Sequence, residues 1–205
     1  MNRVLLLNSS PRGDSVSTRV ANQLVEKIRA NSDSSSLVER DLSKDVPPHI
    51  GEAFVVGSRI EADKRSKDQQ AAVDISDKLI AELAAADTVV IASPMFNFGP
   101  ATTLKAWFDY ILRAGVTFKY TEKGPEGLLT GKKVYVVVSR GGIYSDGPMK
   151  AIDFQEPYLR HLLGFAGMTD VTFVKVEGIA YGPEAAEKSV KAALDSIPKL
   201  LAKAA

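Results

Sequence analysis

Apolar residues fall in short continuous runs that alternate, along the whole chain, with stretches of helical spacing. Val4 to Leu7 is one such run and predicts a strand over 3–7. After a polar turn, Val20, Leu24 and Ile28 recur on one face of a helix over 17–30. The alternation continues with strands over 36–41, 88–92, 133–139 and 171–176 and helices over 67–86, 100–114, 154–167 and 183–202. Five strands alternating with five helices predict an α/β chain with a parallel sheet and helices on both faces.

The strands differ in composition. The runs at Val4–Leu7, Val89–Ile91 and Val134–Val138 are continuously apolar, as strands covered on both faces are. The second strand instead ends Glu39-Arg40-Asp41, and the fifth interleaves Thr172 and Lys175 with apolar residues, so both read as sheet edges. That arrangement predicts the doubly wound order 2-1-3-4-5, in a single domain spanning 1–205. Two stretches interrupt the pattern: 42–66, with Pro47, Pro48, Gly51 and Gly57, and 116–130, with Gly124, Pro125 and Gly127. Connections of that length in compact domains are commonly functional or disordered.

Ligands of open α/β sheets bind beyond the carboxyl ends of the strands, where strand order reverses. For the predicted order, the turns to inspect follow strands one, three and four. The first, Asn8 to Thr18, is rich in hydroxyls and opens a helix. Its unpaired helix amides, with the hydroxyls of Ser10, Ser15, Ser17 and Thr18, suit a phosphate, although plain N-capping uses the same residue types. The second, Ser93-Pro94-Met95-Phe96-Asn97-Phe98, sets a side-chain amide between two aromatics, which suits a planar ligand with a polar edge or a turn stapled to the core. The third, Ser139-Arg140-Gly141-Gly142-Ile143-Tyr144, pairs two glycines that let backbone amides approach a ligand, or form an ordinary turn.

Charge and composition narrow the choice. With 26 Lys plus Arg against 25 Asp plus Glu, the net charge of +1 supplies no field favouring nucleic acid or an acidic membrane. The chain has no cysteine, and His49 and His161 stand apart without a metal-ligand pattern, so no thiolate nucleophile and no metal centre are expected. The opening residues lack a secretory leader and no apolar run approaches the ~20 residues of a membrane span, which makes the expectation a cytoplasmic protein. Trp107 falls on a helical stripe with Leu104, Phe108 and Ile111 and reads as core or dimer contact; Arg12 and Arg19 read as phosphate-attracting or merely solvated charges.

Phosphate donors at one end and an aromatic, amide-bearing slot at the other describe a mononucleotide with a flat polar head. FMN fits better than NAD, because no G-x-G-x-x-G fingerprint follows the first strand. A Walker loop is excluded, since the one Gly-Lys pair, Gly131-Lys132, precedes a strand.

The stretches VLLLNSSPRG, IASPMFNFGPATTLKAWFDYILRAGVTFKYTEKGPEGLLTGKK, SRGGIYSDGP and LGFAGMTDVTFVKVEGIAYGP resemble the FMN-dependent NADH azoreductases of bacteria, within the flavodoxin-like NAD(P)H:quinone reductases. The resemblance implies one FMN per subunit, with contacts at Ser10, Ser15, Val16 and Ser17, at Met95, Phe96, Asn97 and Phe98, and at Ser139, Arg140, Gly141 and Gly142. It further implies Tyr120, Tyr144 and Phe165 lining the substrate face, Tyr144 standing where some relatives carry histidine. A homodimer with active sites at its interface is implied as well, with NADH or NADPH reducing FMN before a quinone or azo compound takes two electrons. No catalytic side chain is expected beyond the hydride chemistry of FMN. An electron-carrying flavodoxin and a flavin-free binding module are the rival readings.

Overall fold

The computed structural model describes residues 1–203. From the N-terminus run β1 (Asn2–Asn8), α1 (Val16–Ala30), β2 (Ser35–Asp41), α2 (Glu52–Gly57), α3 (Lys67–Ala85) and β3 (Thr88–Phe96). There follow β4 (Gly99–Pro100), α4 (Thr102–Ile111), β5 (Phe118–Thr121), β6 (Gly124–Gly127) and β7 (Lys133–Ser139). The chain ends with α5 (Glu156–Phe165), β8 (Asp170–Val176) and α6 (Pro183–Lys203).

Successive side chains of a strand point to opposite faces, so a four-residue apolar run must be covered twice. On one face Leu5 and Leu7 join Val89, Ile91 and Val136 against Leu83 of α3, Trp107 and Ile111 of α4, and Leu159 of α5. On the other, Val4 and Leu6 join Val90 and Val137 against Leu24 and Ile28 of α1 and Ile197 of α6. The long strands are all parallel, in the order β2-β1-β3-β7-β8. The strands with continuous apolar runs are therefore the central ones, and the charged second strand lies at an edge. Its Arg40 is buried all the same, because the guanidinium pairs with Glu82 and Asp45.

Three features depart from the sequence expectation. The sheet has six strands, since the third strand runs on to Phe96 and turns back as the two-residue antiparallel β4. The stretch 116–130 is not irregular but folds into the hairpin β5–β6, packed where Gly127 meets the end of α5. A Cβ on Gly127 would lie 2.0 Å from the Gly167 nitrogen, so only glycine permits that approach. The stretch 42–66 contains the short helix α2, whose Phe54 joins the core.

Register brings the carboxyl ends of the central strands to one rim. Asn8 is opposite Ala92, Pro94 is opposite Ser139, and Ser139 is opposite Val176. Trp107 is 1% exposed in the core beneath this rim. Replacing it with alanine should cost about 3–5 kcal/mol, through lost burial and the cavity left behind. Chemical denaturation of Trp107→Ala measures this, and a loss below about 1 kcal/mol would show that the residue is not packing core.

Candidate cofactor site at the carboxyl rim of the sheet

The strand order reverses between β1 and β3, and the turns after β1, β3 and β7 meet there. Ser10, Ser15, Val16, Met95, Phe96, Ser139 and Gly141 line one cavity of about 150 Å³, together with Arg12, Asp14, Pro94 and Ile179. Ligand pockets commonly span roughly 300–1,000 Å³, so this cavity of about 150 Å³ has room for only part of a mononucleotide-sized ligand. A flat head group would lie over the open rim.

The first turn presents the start of α1. Ser15 is its N-cap and accepts a long hydrogen bond of 3.5 Å from the Thr18 amide. The Ser15 and Ser17 hydroxyls are buried and 3.0 Å apart. Asn8 ties the turn down: its carboxamide oxygen accepts from Thr18 Oγ1 at 2.7 Å and from the Ser10 amide at 3.2 Å. Among the described residues, the amides of Val16 and Ser17 make no hydrogen bond, and the first turn of α1 holds no acidic side chain. Unpaired amides, the positive end of the helix dipole and serine hydroxyls together suit an anion without a lysine. Arg12 borders the cavity but is already neutralised by Asp14 at 2.8 Å, on the solvent side, and Arg19 pairs with Glu187.

The second turn explains the Phe-Asn-Phe-Gly-Pro sequence. Phe96 pairs with Gly99 and Met95 with Pro100, leaving Asn97 and Phe98 as a two-residue hairpin loop. Both have positive φ, 46° and 71°. Such loops match the twist of the flanking strands when both central residues are left-handed, which Asn tolerates and a bulky aromatic resists. Phe96 and Phe98 are 43% and 42% exposed, on either side of Asn97. The Asn97 side chain makes no hydrogen bond among the described residues and faces a neighbouring cavity of about 460 Å³ that shares Phe96.

In the third turn the carbonyls of Arg140, Gly141 and Gly142 accept from the amides of Ile179, Ala180 and Gly178 at 3.2, 3.1 and 3.0 Å. The Gly141 and Gly142 amides make no hydrogen bond among the described residues and are free to donate. The Tyr144 ring rests on Gly142, 3.3 Å from where a Cβ would sit, and stands edge-on to Phe98 with centroids 6.3 Å apart.

Arg140 departs from the expected cofactor contact. Its side chain is fully buried and turned inward: Nε donates to Gln155 Oε1 at 3.1 Å and Nη1 to Glu177 Oε1 at 3.0 Å. Nη2 lies 2.9 Å from Asp153 Oδ2, in an ion pair whose alignment falls short of a hydrogen bond. Gln155 passes the connection on, donating to the Ser93 carbonyl and hydroxyl at 3.0 and 3.2 Å. Burial raises the Glu177 pKa, but hydrogen bonds from Ser145, the Tyr144 amide and Arg140 more than offset it, and the net shift is downward. Glu177 therefore stays ionised at neutral pH. Of this cluster the sequence pointed only to Arg140; the signal available for Glu177 was an acidic residue directly after the fifth strand.

Tyr120 and Phe165 are not brought to the rim of their own chain. They flank Phe118 at the hairpin, with centroids 5.6 and 4.5 Å from its ring. Gln155, at the start of α5, touches Ser93, whereas Phe165 closes that ten-residue helix, roughly 15 Å away along the axis. Tyr120 lines a separate cavity of about 610 Å³ between α2 and the end of α4.

The family model described as the flavodoxin-like fold matches residues 2–201. The chain belongs to the flavodoxin-like family. It is similar to an FMN-dependent NADH:quinone oxidoreductase of Agrobacterium fabrum, 50% identical over 201 residues and covering 98% of each chain. A protein of the same name from Hyphomonas neptunium is 51% identical over 201 residues, covering 98% of this chain and 96% of its own. An azoreductase crystal structure from Bacillus anthracis superposes with a TM-score of 0.89 at 31% identity, over 98% of both chains. An FMN-dependent NADH-azoreductase from Bacillus anthracis in complex with FMN superposes at 0.86 and 27% identity, over 98% of this chain and 99% of its own. The donor set of this flavodoxin-like chain fits FMN: free amides and hydroxyls for a phosphate, two free glycine amides for the carbonyl edge of the ring, and aromatic walls between.

The strained turn gives a direct check. Phe98→Gly should raise the stability by on the order of 1 kcal/mol and the melting temperature by a few degrees, because glycine takes the left-handed conformation freely. Flavin affinity should fall in the same variant. A lower melting temperature would show that the aromatic ring, not the backbone, sets the energy of this turn.

Proposed function

We propose that this chain is an FMN-dependent NADH:quinone oxidoreductase that also cleaves azo compounds reductively. The observation that carries the reading is the convergence of three turns, bearing free donors and aromatic walls, on one rim where the strand order reverses. The names of the half-identical relatives and the FMN-bound azoreductase support it. On this reading Ser10, Ser15, Val16 and Ser17 hold the phosphate. Met95, Phe96, Asn97 and Phe98 border the ring system, and Ser139, Gly141 and Gly142 meet its pyrimidine end. Arg140 acts behind the turn and touches no cofactor atom.

FMN, when bound, supplies hydride uptake from NADH and two-electron delivery to the acceptor. The chain binds, orients and stabilises. The amides of Gly141 and Gly142 offset negative charge at the pyrimidine edge, as oxyanion-hole donors do. Phe96, Phe98 and Tyr144 exclude water from the sides of the slot and leave one flat face open. A single open face must serve donor and acceptor in turn, which gives ping-pong kinetics. NADH is the preferred donor, because among the described residues no basic cluster stands at the rim for a 2′-phosphate, and an NADH-fed reaction belongs in the cytoplasm.

A second copy of the chain completes the substrate face. Tyr120 is 74% exposed and far from its own rim, and Ile50 and Val55, at 43% and 36%, flank the same cavity. In a homodimer these apolar residues are covered, and Tyr120 and Phe165 of one copy reach the open flavin face of the other. One domain and one FMN per subunit follow.

Purified protein should carry the visible flavin band, lose it on anaerobic addition of NADH and regain it on addition of a quinone. Ser10→Ala should weaken FMN retention by about ten- to a hundredfold, the size of a lost hydrogen bond to a charged group. Bound flavin that stays oxidised under NADH would reduce the reading to a carrier or binding protein.

A further inference from the structure

We propose that Glu177 is a positioning residue for acceptor binding, fixing Tyr144 at the side of the flavin slot. The inference rests on the FMN reading above and concerns what holds one wall of that site. Among the described residues, only two hydrogen bonds tie residues 143–147 to a distant part of the fold, and both end on Glu177. The Tyr144 amide donates to Oε1 at 2.9 Å, and the Ser145 hydroxyl donates to Oε2. The carboxylate is itself held fast. Its Oε1 also accepts from fully buried Arg140 at 3.0 Å, and its own backbone amide donates to Ser189 of α6 at 3.0 Å. The side chain is 11% exposed, so it has little room to move.

Stability alone explains this carboxylate poorly. Buried ion pairs commonly add little net stability, because desolvation offsets the attraction. Arg140 already has Asp153 as a counter-ion, and Asp153 spends its other oxygen on the amides of Gln155 and Glu156 at the start of α5. Two carboxylates around one guanidinium thus divide the work: Asp153 caps a helix, and Glu177 reaches to the ligand side. Without that anchor the Tyr144 ring, which stands on Gly142 and against the edge of Phe98, loses its fixed place. The resulting misplacement falls on the acceptor, because Tyr144 borders the open face.

The test is a double-mutant cycle on the FMN-loaded enzyme, reading the KM for a quinone apart from kcat. Glu177→Ala should raise the acceptor KM about tenfold, as expected for a lost charge-assisted hydrogen bond, and change kcat less than about twofold. Glu177→Gln, which keeps one acceptor oxygen for the Tyr144 amide while the Ser145 hydroxyl can turn to accept from the new NH2 group, should stay within about threefold of wild type. On a Tyr144→Ala background, Glu177→Ala should add less than about twofold, because the contact it acts through is already gone. Should the alanine variant fail to fold, Glu177→Asp keeps the charge and shortens the arm, and the proposal requires it to raise KM likewise. A full Glu177→Ala effect on the Tyr144→Ala background, a glutamine variant no better than alanine, or a wild-type KM in the aspartate variant overturns the proposal. Wild-type protein that retains no FMN would instead overturn the functional reading itself.

Discussion

Parallel pairing of β1, β3 and β7 in a single register is the constraint on which the rest of the molecule depends. Because Asn8 stands beside Ala92 and Pro94 beside Ser139, three turns that are more than forty residues apart in sequence open side by side. A slip of one residue would move every side chain of a strand to the opposite helix layer and break the packing of both, so the register is fixed by the same burial that stabilises the fold. The rim chemistry is therefore inherited from the core. Leu5, Ile91 and Val136 never touch a ligand, yet their packing decides where Ser10, Met95 and Gly141 meet.

Above that rigid floor, the rim is held by polar contacts that run sideways. Ser93, Gln155, Arg140 and Glu177 form one buried chain linking the end of β3 to the turns after β7 and β8. The low dielectric of the interior strengthens such bonds and makes each unpaired group costly, so the cluster is rigid when complete. The turn at Asn97 and Phe98 adds a second device, a tight hairpin with positive φ at both central residues that carries the exposed rings of Phe96 and Phe98. Strain of this kind persists only where surrounding structure overdetermines it, and it gathers at ligand sites.

Much of this was legible in the sequence, for identifiable reasons. Continuous apolar runs distinguished the central strands from the edges, because burial on both faces leaves no room for polar residues at Val4–Leu7 or Val134–Val138. The strand order then pointed to the turns that line the cavity. Other parts could not be read locally. The hairpin at 118–127 depends on Gly127 meeting Gly167, forty residues away, and its second strand, Gly124-Pro125-Glu126-Gly127, carries no strand pattern. Arg140 lay in the right turn, but whether its side chain faces the ligand or the interior is decided by Asp153, Gln155 and Glu177, none of which is near it in sequence. Tyr120 and Phe165 show the same limit. They pack against Phe118 at the hairpin instead of reaching the rim of their own chain, a placement set by tertiary contacts.

The central claim is that the start of α1 grips a phosphate while the other two turns grip the ring it is attached to. Titrating flavin-stripped protein with FMN and with riboflavin separates these contributions, since the two ligands differ only in the phosphate. The account predicts FMN binding at least about a hundredfold tighter than riboflavin, from several charge-assisted hydrogen bonds and the helix dipole together. Equal affinities for the two ligands, or no binding of either, would contradict it.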